Sequence, residues 1–192
     1  MKPLISVIIP VYNCEKTIAI AIDSILNQTY KNIEIIVIND KSTDRTREII
    51  LEMIKSNNKI KLIDEQDDPL RYDTKLKRNI NAGYSARNTG FEYVKGDFIT
   101  FQDADDASLL NRIEVQYDLL IKYNSIHVTL DWIQFNEKYL GKKLDIAEYT
   151  KKIEMMGPKE LYEMSQRSKG LISKISQRFN RMIPFHIKRQ RI

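Results

Sequence analysis

The sequence predicts an α/β domain built on a mostly parallel sheet with helices on both faces. Three observations predict it. Short β-branched runs alternate with segments of helical period between residues 1 and 125. The runs are apolar at nearly every position, as in strands buried on both faces. A cluster of polar residues follows each major run, as expected where connections leave one edge of a sheet.

Taken in order, Leu4 to Pro10 is an apolar run stopped by proline and reads as a strand. From Glu15 to Gln28 the residues Ile18, Ala21, Ile22, Ile25 and Leu26 recur at three- and four-residue intervals, one face of a helix. Ile33 to Ile38 is a second strand. Asn39-Asp40-Lys41-Ser42-Thr43-Asp44 is then a turn, leading to a helix that carries Ile49, Ile50, Met53 and Ile54. Ser42 or Thr43 is placed to cap that helix. A third strand, Ile60 to Ile63, runs into Asp64-Glu65-Gln66-Asp67-Asp68-Pro69, a loop by its charge and proline. This long connection passes Arg71, Lys75, Lys77 and Arg78 before a helix near Ser85 to Val94, and connections of such length tend to be binding segments. Asp97 to Phe101 is a further strand, Gln102-Asp103-Ala104-Asp105-Asp106 follows its end, and a helix spans about Leu110 to Tyr123. Ile126 to Phe135 has the imperfect alternation of one more strand. Right-handed crossovers and open-sheet geometry deliver Pro10 to Asn13, Asn39-Asp40 and Asp103 to Asp106 to the carboxyl edge, where ligands gather.

A chain of 192 residues with 42% hydrophobic and 30% charged side chains has room for one core. We divide it into a main domain at 1–125, a short region at 126–163 and a basic tail at 164–192. Eight of the 31 basic residues and none of the 26 acidic ones lie between Met164 and Ile192, so the net charge of +5 belongs to the tail. The body is mildly acidic, which argues against a nucleic-acid partner. Within the tail, Leu171, Ile172, Ile175, Phe179, Met182 and Ile183 share one helix face ended by Pro184, with Lys169, Lys174, Arg178 and Arg181 elsewhere. That pattern at 169–183 suits an anionic membrane surface, and equally a helix docked on the body or on a second chain or copy. No apolar stretch reaches about 18 residues and no signal-peptide pattern opens the chain. The single cysteine, Cys14, fits a reducing compartment and has no base beside it. The expectation is a cytoplasmic protein, peripheral at most to the inner face of a membrane.

Three carboxylates within four residues, Asp103, Asp105 and Asp106, repel one another unless solvent or a cation intervenes. Hard oxygen ligands select Mg2+ or Mn2+, and such ions keep positions open for substrate phosphates. A solvated turn with Asp106 capping the next helix is the plain alternative. Asp40, at a strand end, is placed to accept a hydrogen bond from a nucleobase imide. Neither G-x-G-x-x-G nor G-x-x-x-x-G-K occurs, which disfavours dinucleotide enzymes, P-loop ATPases and nucleotidyltransferases.

Four segments in order, Ser6 to Asn13, Ile35 to Asp44, Ala86-Arg87-Asn88-Thr89-Gly90 and Gly96 to Asp106, resemble the motifs of family 2 glycosyltransferases. The resemblance covers roughly Leu4 to Leu120. It implies a GT-A fold, a nucleotide-diphospho-sugar donor such as a UDP-sugar, and an inverting single displacement. Carried over by position, Pro10 and Tyr12 line the base pocket with Asn39 beside them, Asp40 bonds the base, Asp103 approaches the ribose and Asp105 is the principal metal ligand, with Asp103 and Asp106 completing the acidic set. Arg87 lies near the nucleotide, and Lys77 and Arg78 compete for a diphosphate contact.

The sequence departs from the family pattern in places. Asn39 replaces the first of two usual acids, Lys41 replaces a common glycine, and Ala107-Ser108-Leu109-Leu110-Asn111 stands where an aromatic residue and a proline are frequent. The family's acceptor-side carboxylate, in a Glu-Asp pair, has no counterpart after Asp106. Asp131, Glu137 and Asp145 are the candidates for the general base that an inverting transfer requires. The expected function is therefore metal-assisted glycosyl transfer to a glycan, lipid-linked or protein acceptor. A non-catalytic nucleotide-sugar-binding or membrane-associated interaction module is the alternative.

Overall fold

The structure, a computed structural model, describes residues 1–65, 83–125, 128 and 142, and the backbone alone at 72–73, 78–79 and 186–187. The strands are β1 (Ile5–Val11), β2 (Ile33–Asn39), β3 (Ile60–Asp64), β4 (Tyr72–Asp73), β5 (Arg78–Asn79), β6 (Phe98–Phe101) and β7 (His186–Ile187). The helices are α1 (Ile18–Leu26), α2 (Thr46–Ser56), α3 (Tyr84–Tyr93) and α4 (Arg112–Lys122). The main sheet has the order β3-β2-β1-β6-β7, parallel except for β7. Among the described residues, no helix is long and apolar enough to cross a membrane.

Among the described residues, the expected strands and helices from β1 to α4 fall within three residues of their expected places. Two features were not expected. An antiparallel hairpin of β4 and β5, with Tyr72 opposite Asn79 and Asp73 opposite Arg78, lies inside the long connection. His186–Ile187, in the stretch assigned to the tail, pairs antiparallel with the start of β6 and forms one border of the sheet. Two-residue strands are too short to leave a periodic signature. The predicted strand at Ile126 to Phe135, apart from Val128, and the predicted tail helix at 171–183 lie outside the described residues.

The parallel strands β1, β2, β3 and β6 serve two cores, as their largely apolar sequences require. Ile5, Val7, Ile9 and Val11 of β1 face α1, α2 and α4, joining Ile18, Ile22, Ile25, Ile50, Ile113 and Leu120. Ile8, Ile36, Ile38, Ile99 and Phe101 face the other way, onto Ala86 and Val94. On that side α3 lies close to the sheet because Gly90 offers no side chain. An ideal Cβ there would stand 2.6 Å from Ile8 Cγ2.

Pro10 sits in the central strand without breaking it. Ile8 C=O accepts from Gln102 N–H on the β6 side (3.0 Å), whereas Val11 C=O accepts from Asp40 N–H on the β2 side (2.8 Å). Alternation turns Pro10 toward β6, which has already ended, so its missing N–H leaves no ladder bond unmade. The strands end there at the carboxyl edge, the side of an open α/β sheet on which ligands bind.

Candidate functional site

Two turns leave this edge side by side and are laced together. Asn13 and Lys41, which follow β1 and β2, both adopt left-handed backbone, with φ of 51° and 59°. The latter accounts for glycine being common where Lys41 stands, since only glycine takes that conformation without a steric cost. Asn13 N–H donates to Ser42 Oγ (3.1 Å), its Nδ2 to Thr43 Oγ1 (3.2 Å), and its Oδ1 accepts from Thr43 N–H (2.7 Å). Ser42 and Thr43 therefore stitch the turns together instead of capping α2 as expected. The helix starts later, with Arg45 at its N-cap and no side-chain cap, while Asp44 ties the two turns further by accepting from Thr46 N–H (3.0 Å) and Glu15 N–H (3.1 Å). Desolvation pulls the Asp44 carboxyl upward, but the hydrogen bonds from Thr46 and Glu15 outweigh it and hold the group below its ordinary value.

Tyr12 projects from the end of β1 with 58% of its surface exposed, and Asp40 lies at the end of β2 with 9% exposed. Pro10, partly buried, lies between β1's buried core residues and this edge. The side chain of Asn39, expected to face the ligand, is engaged by the protein. Its Nδ2 donates to Asp64 Oδ1 (2.8 Å) and its Oδ1 accepts from Ser42 N–H (3.2 Å). Arg47 grips the same Asp64 with Nε and Nη2. Hydrogen bonds from Arg47 and then Asn39 hold the Asp64 carboxyl below its ordinary value. An asparagine suits this place because it can donate to Asp64, which an acid there could not do.

The third wall is α3. Gly83 precedes it with φ of 78°, and Arg87 reaches from its first turns to Asp103, with Nη2 to Oδ1 at 2.7 Å. The pair is largely enclosed, with 19% and 25% of the side chains exposed. Glu65, directly after β3, anchors the same helix. It is 8% exposed, and its Oε1 accepts from Ser85 Oγ (2.7 Å) and Thr89 Oγ1 (2.9 Å). Glu65 N–H also donates to Asn39 C=O (2.9 Å), which continues the β2–β3 ladder. The available signal was an acid directly after a strand, facing Ser and Thr at i and i+4 of a helix.

The acidic segment follows β6. Asp103 is partly buried, Ala104 is buried, and Asp105 and Asp106 are exposed. Asp106 N–H donates to Asp103 C=O (3.1 Å), closing a turn. Asp106 is not a helix cap, because α4 begins at Arg112. Among the described residues no three acids, histidines or cysteines converge as a ready-made metal cage, so Asp103, Asp105 and Asp106 do not form one by themselves. The segment 107–111 keeps its shape without the proline through bonds to α1 and the turn after it. Ser108 N–H donates to Ser24 Oγ (3.0 Å), Gln28 Nε2 to Leu109 C=O (2.7 Å), and Thr29 N–H to Leu110 C=O (2.7 Å). Behind it Arg112 reaches Thr100 Oγ1 (3.2 Å) and Phe101 C=O (3.4 Å), and burial pushes its guanidinium down to about 10.

Cys14 is partly enclosed, and burial raises its thiol above the ordinary value, the opposite of nucleophile activation. Lys77, Asp131, Glu137 and Asp145 lie outside the described residues, and Arg78 is placed only by its backbone in β5. The structure thus brings together Pro10, Tyr12, Asp40, Arg87 and Asp103 to Asp106 at one edge. That edge combines an exposed aromatic ring, a carboxylate at a strand end and an acidic turn, a set suited to a base, a sugar hydroxyl and a cation-bridged phosphate.

The sequence profile described as Glycosyl transferase family 2 matches residues 6–187. Among curated proteins, glycosyltransferase GlyA of Streptococcus pneumoniae is 38% identical over 134 residues, which span 69% of this chain and 17% of GlyA. The UDP-Glc:alpha-D-GlcNAc-diphosphoundecaprenol beta-1,3-glucosyltransferase WfgD of Escherichia coli is 38% identical over 121 residues, 63% of this chain and 42% of WfgD. The chain thus spans less than half the length of either relative. Among solved structures, Staphylococcus aureus TarS 1–349 in complex with UDP-GlcNAc superposes with a TM-score of 0.56 at 24% identity, covering 69% of this chain and 35% of TarS. This likeness identifies the fold as GT-A.

Proposed function

Since the chain belongs to glycosyl transferase family 2, we propose that it binds a nucleotide-diphospho-sugar at the carboxyl edge of its sheet and transfers the sugar to an acceptor. The observation that carries this reading is the convergence, on one edge of the sheet, of Tyr12 and Asp40 from two strand ends with the Arg87–Asp103 pair and the acidic turn. UDP is the proposed nucleotide, since Asp40 is an acceptor suited to the uracil imide and Tyr12 offers a ring face.

The donor set fits a divalent cation of the Mg2+ or Mn2+ type. Asp105 and Asp106 are exposed oxygen ligands, and such ions are commonly held by one or two carboxylates together with substrate phosphates. When bound, the cation would stabilise charge developing on the departing diphosphate. The chain's own residues supply the remaining features. Asp40 orients the base, Asp103 receives a sugar hydroxyl, and the laced turns keep the two base-binding walls at a fixed separation. Transfer with inversion is proposed from the family membership, and the candidates for the general base, Asp131, Glu137 and Asp145, lie outside the described residues. WfgD acts on a diphosphoundecaprenol-linked sugar, and by that likeness a lipid-linked acceptor is proposed here. A setting on the cytoplasmic face of a membrane accords with such an acceptor and with the unpaired Cys14.

Calorimetry with UDP, with and without Mn2+, tests the binding step. Uptake that is strengthened by Mn2+ and reduced at least tenfold by Asp105→Ala is expected, because the cation loses an exposed charged ligand. Absence of Mn2+-dependent uptake with UDP and GDP would refute the reading. Release of nucleotide from UDP-sugars then separates an enzyme from a binding module, which would bind without turnover.

A further inference from the structure

The Arg87–Asp103 pair is arranged by its surroundings. At Gly83 an added Cβ would lie 2.6 Å from Arg87 Nη1, and φ there is 78°, so glycine gives the guanidinium the space it occupies. Arg87 Nη2 meets Asp103 Oδ1 at 2.7 Å, while Arg87 Nε is buried without a hydrogen-bond partner. A buried donor left unpaired costs stability, so the pose favours the contact with Asp103 over full satisfaction of the arginine. The main chain of Asp103 is held as well, its C=O accepting from Gln102 Nε2 (3.1 Å) and Asp106 N–H (3.1 Å).

We propose that Arg87 is a positioning residue that acts on the donor through Asp103, seated by Gly83, and does not itself contact the nucleotide. The inference rests on the donor-binding reading above. With Oδ1 tied to the guanidinium, Asp103 presents Oδ2 to a hydroxyl of the ligand. The arginine also offsets one of three neighbouring negative charges, which leaves the cation to the exposed Asp105 and Asp106. Arg87 thereby divides the acidic turn into a hydroxyl-binding part and a metal-binding part.

A mutant cycle on UDP affinity in the presence of Mn2+ tests this on the full chain, using Arg87→Met, Asp103→Asn and the two together, with thermal melting of each. Loss of a charge-assisted bond corresponds to about a tenfold weakening or more. Each single change is expected to weaken UDP by that factor, and the double variant to bind no worse than Asp103→Asn alone. Arg87→Lys should recover part of the loss. Gly83→Ala should weaken UDP more in the native background than in the Arg87→Met background, since the backbone strain at φ of 78° is common to both and only the native protein has a guanidinium to displace. Losses that multiply in the double variant would mean direct contact between Arg87 and the nucleotide and would overturn the proposal. So would affinities that merely follow the melting temperatures. A native protein that takes up neither UDP nor GDP would instead overturn the donor reading, and this inference with it.

Discussion

Gly90 is the point at which α3 touches the sheet, and replacing it with alanine sets two effects of opposite sign against each other. In the middle of a helix, alanine is favoured over glycine by about 1 kcal/mol. Against this, the new methyl would lie 2.6, 3.1 and 3.2 Å from three carbons of Ile8, a fully buried side chain. Carbon atoms pack best at about 3.5–4.0 Å, so either α3 rises or Ile8 leaves its rotamer. Overpacking of this kind costs about 1–3 kcal/mol. The net expectation is a loss of about 1 kcal/mol, or a melting temperature lower by roughly 2–4 °C for a chain of this size. The assay is thermal melting followed by circular dichroism, repeated in an Ile8→Ala background. There the three opposing carbons are gone and only the helical preference remains, so Gly90→Ala should raise stability by about 1 kcal/mol. If Gly90→Ala stabilises the native protein, or has the same sign in both backgrounds, the close approach of α3 to β1 is not what selects glycine.

Three other outcomes are expected. Glu65→Ala should cost about 2 kcal/mol or more by leaving two hydroxyls of α3 without their acceptor, whereas Glu65→Gln, which keeps Oε1, should cost about 1 kcal/mol or less in the same melting assay. The Asp64 carboxyl is held below its ordinary value, so its pairing with Arg47 stabilises the fold above about pH 4 and the contribution disappears as pH falls through the depressed value. Arg47→Gln should accordingly cost about 0.2–1 kcal/mol near pH 7, and the cost should shrink as pH is lowered below about 4, as read by urea titration across that range. Cys14 should react slowly with a disulfide reagent at pH 7 and faster only above pH 9, since burial raises its thiol, and Cys14→Ser should leave UDP binding intact.

The alternation of strands and helices was legible because each long element carries its own periodicity. Ile5 to Val11 is apolar on both faces at every position but Ser6 since two cores claim it, and that is visible in the local sequence. The site was legible in part for the same reason: polar residues that end a buried strand have one edge to go to, and Asp40 and Asp103 to Asp106 went there. What stayed hidden were relations across the chain. Asn39 reads as a ligand-facing residue until Asp64, on the neighbouring strand, is found to claim its amide. Glu65 reads as a loop charge until α3 brings Ser85 and Thr89 to it. Gly83 gave no local sign that it makes room for an arginine four positions on. Hairpin strands of two residues and cap assignments at Ser42 or Asp106 depend on bonds that sequence spacing does not determine.

Pro10 has a consequence for what this edge of the sheet will tolerate. A residue of any other kind would place both an amide hydrogen and a carbonyl oxygen toward the gap beyond β6, whereas proline contributes the oxygen alone. At that position the main chain consequently offers an acceptor and no donor, which suits a hydroxyl or a cation and not a phosphate oxygen.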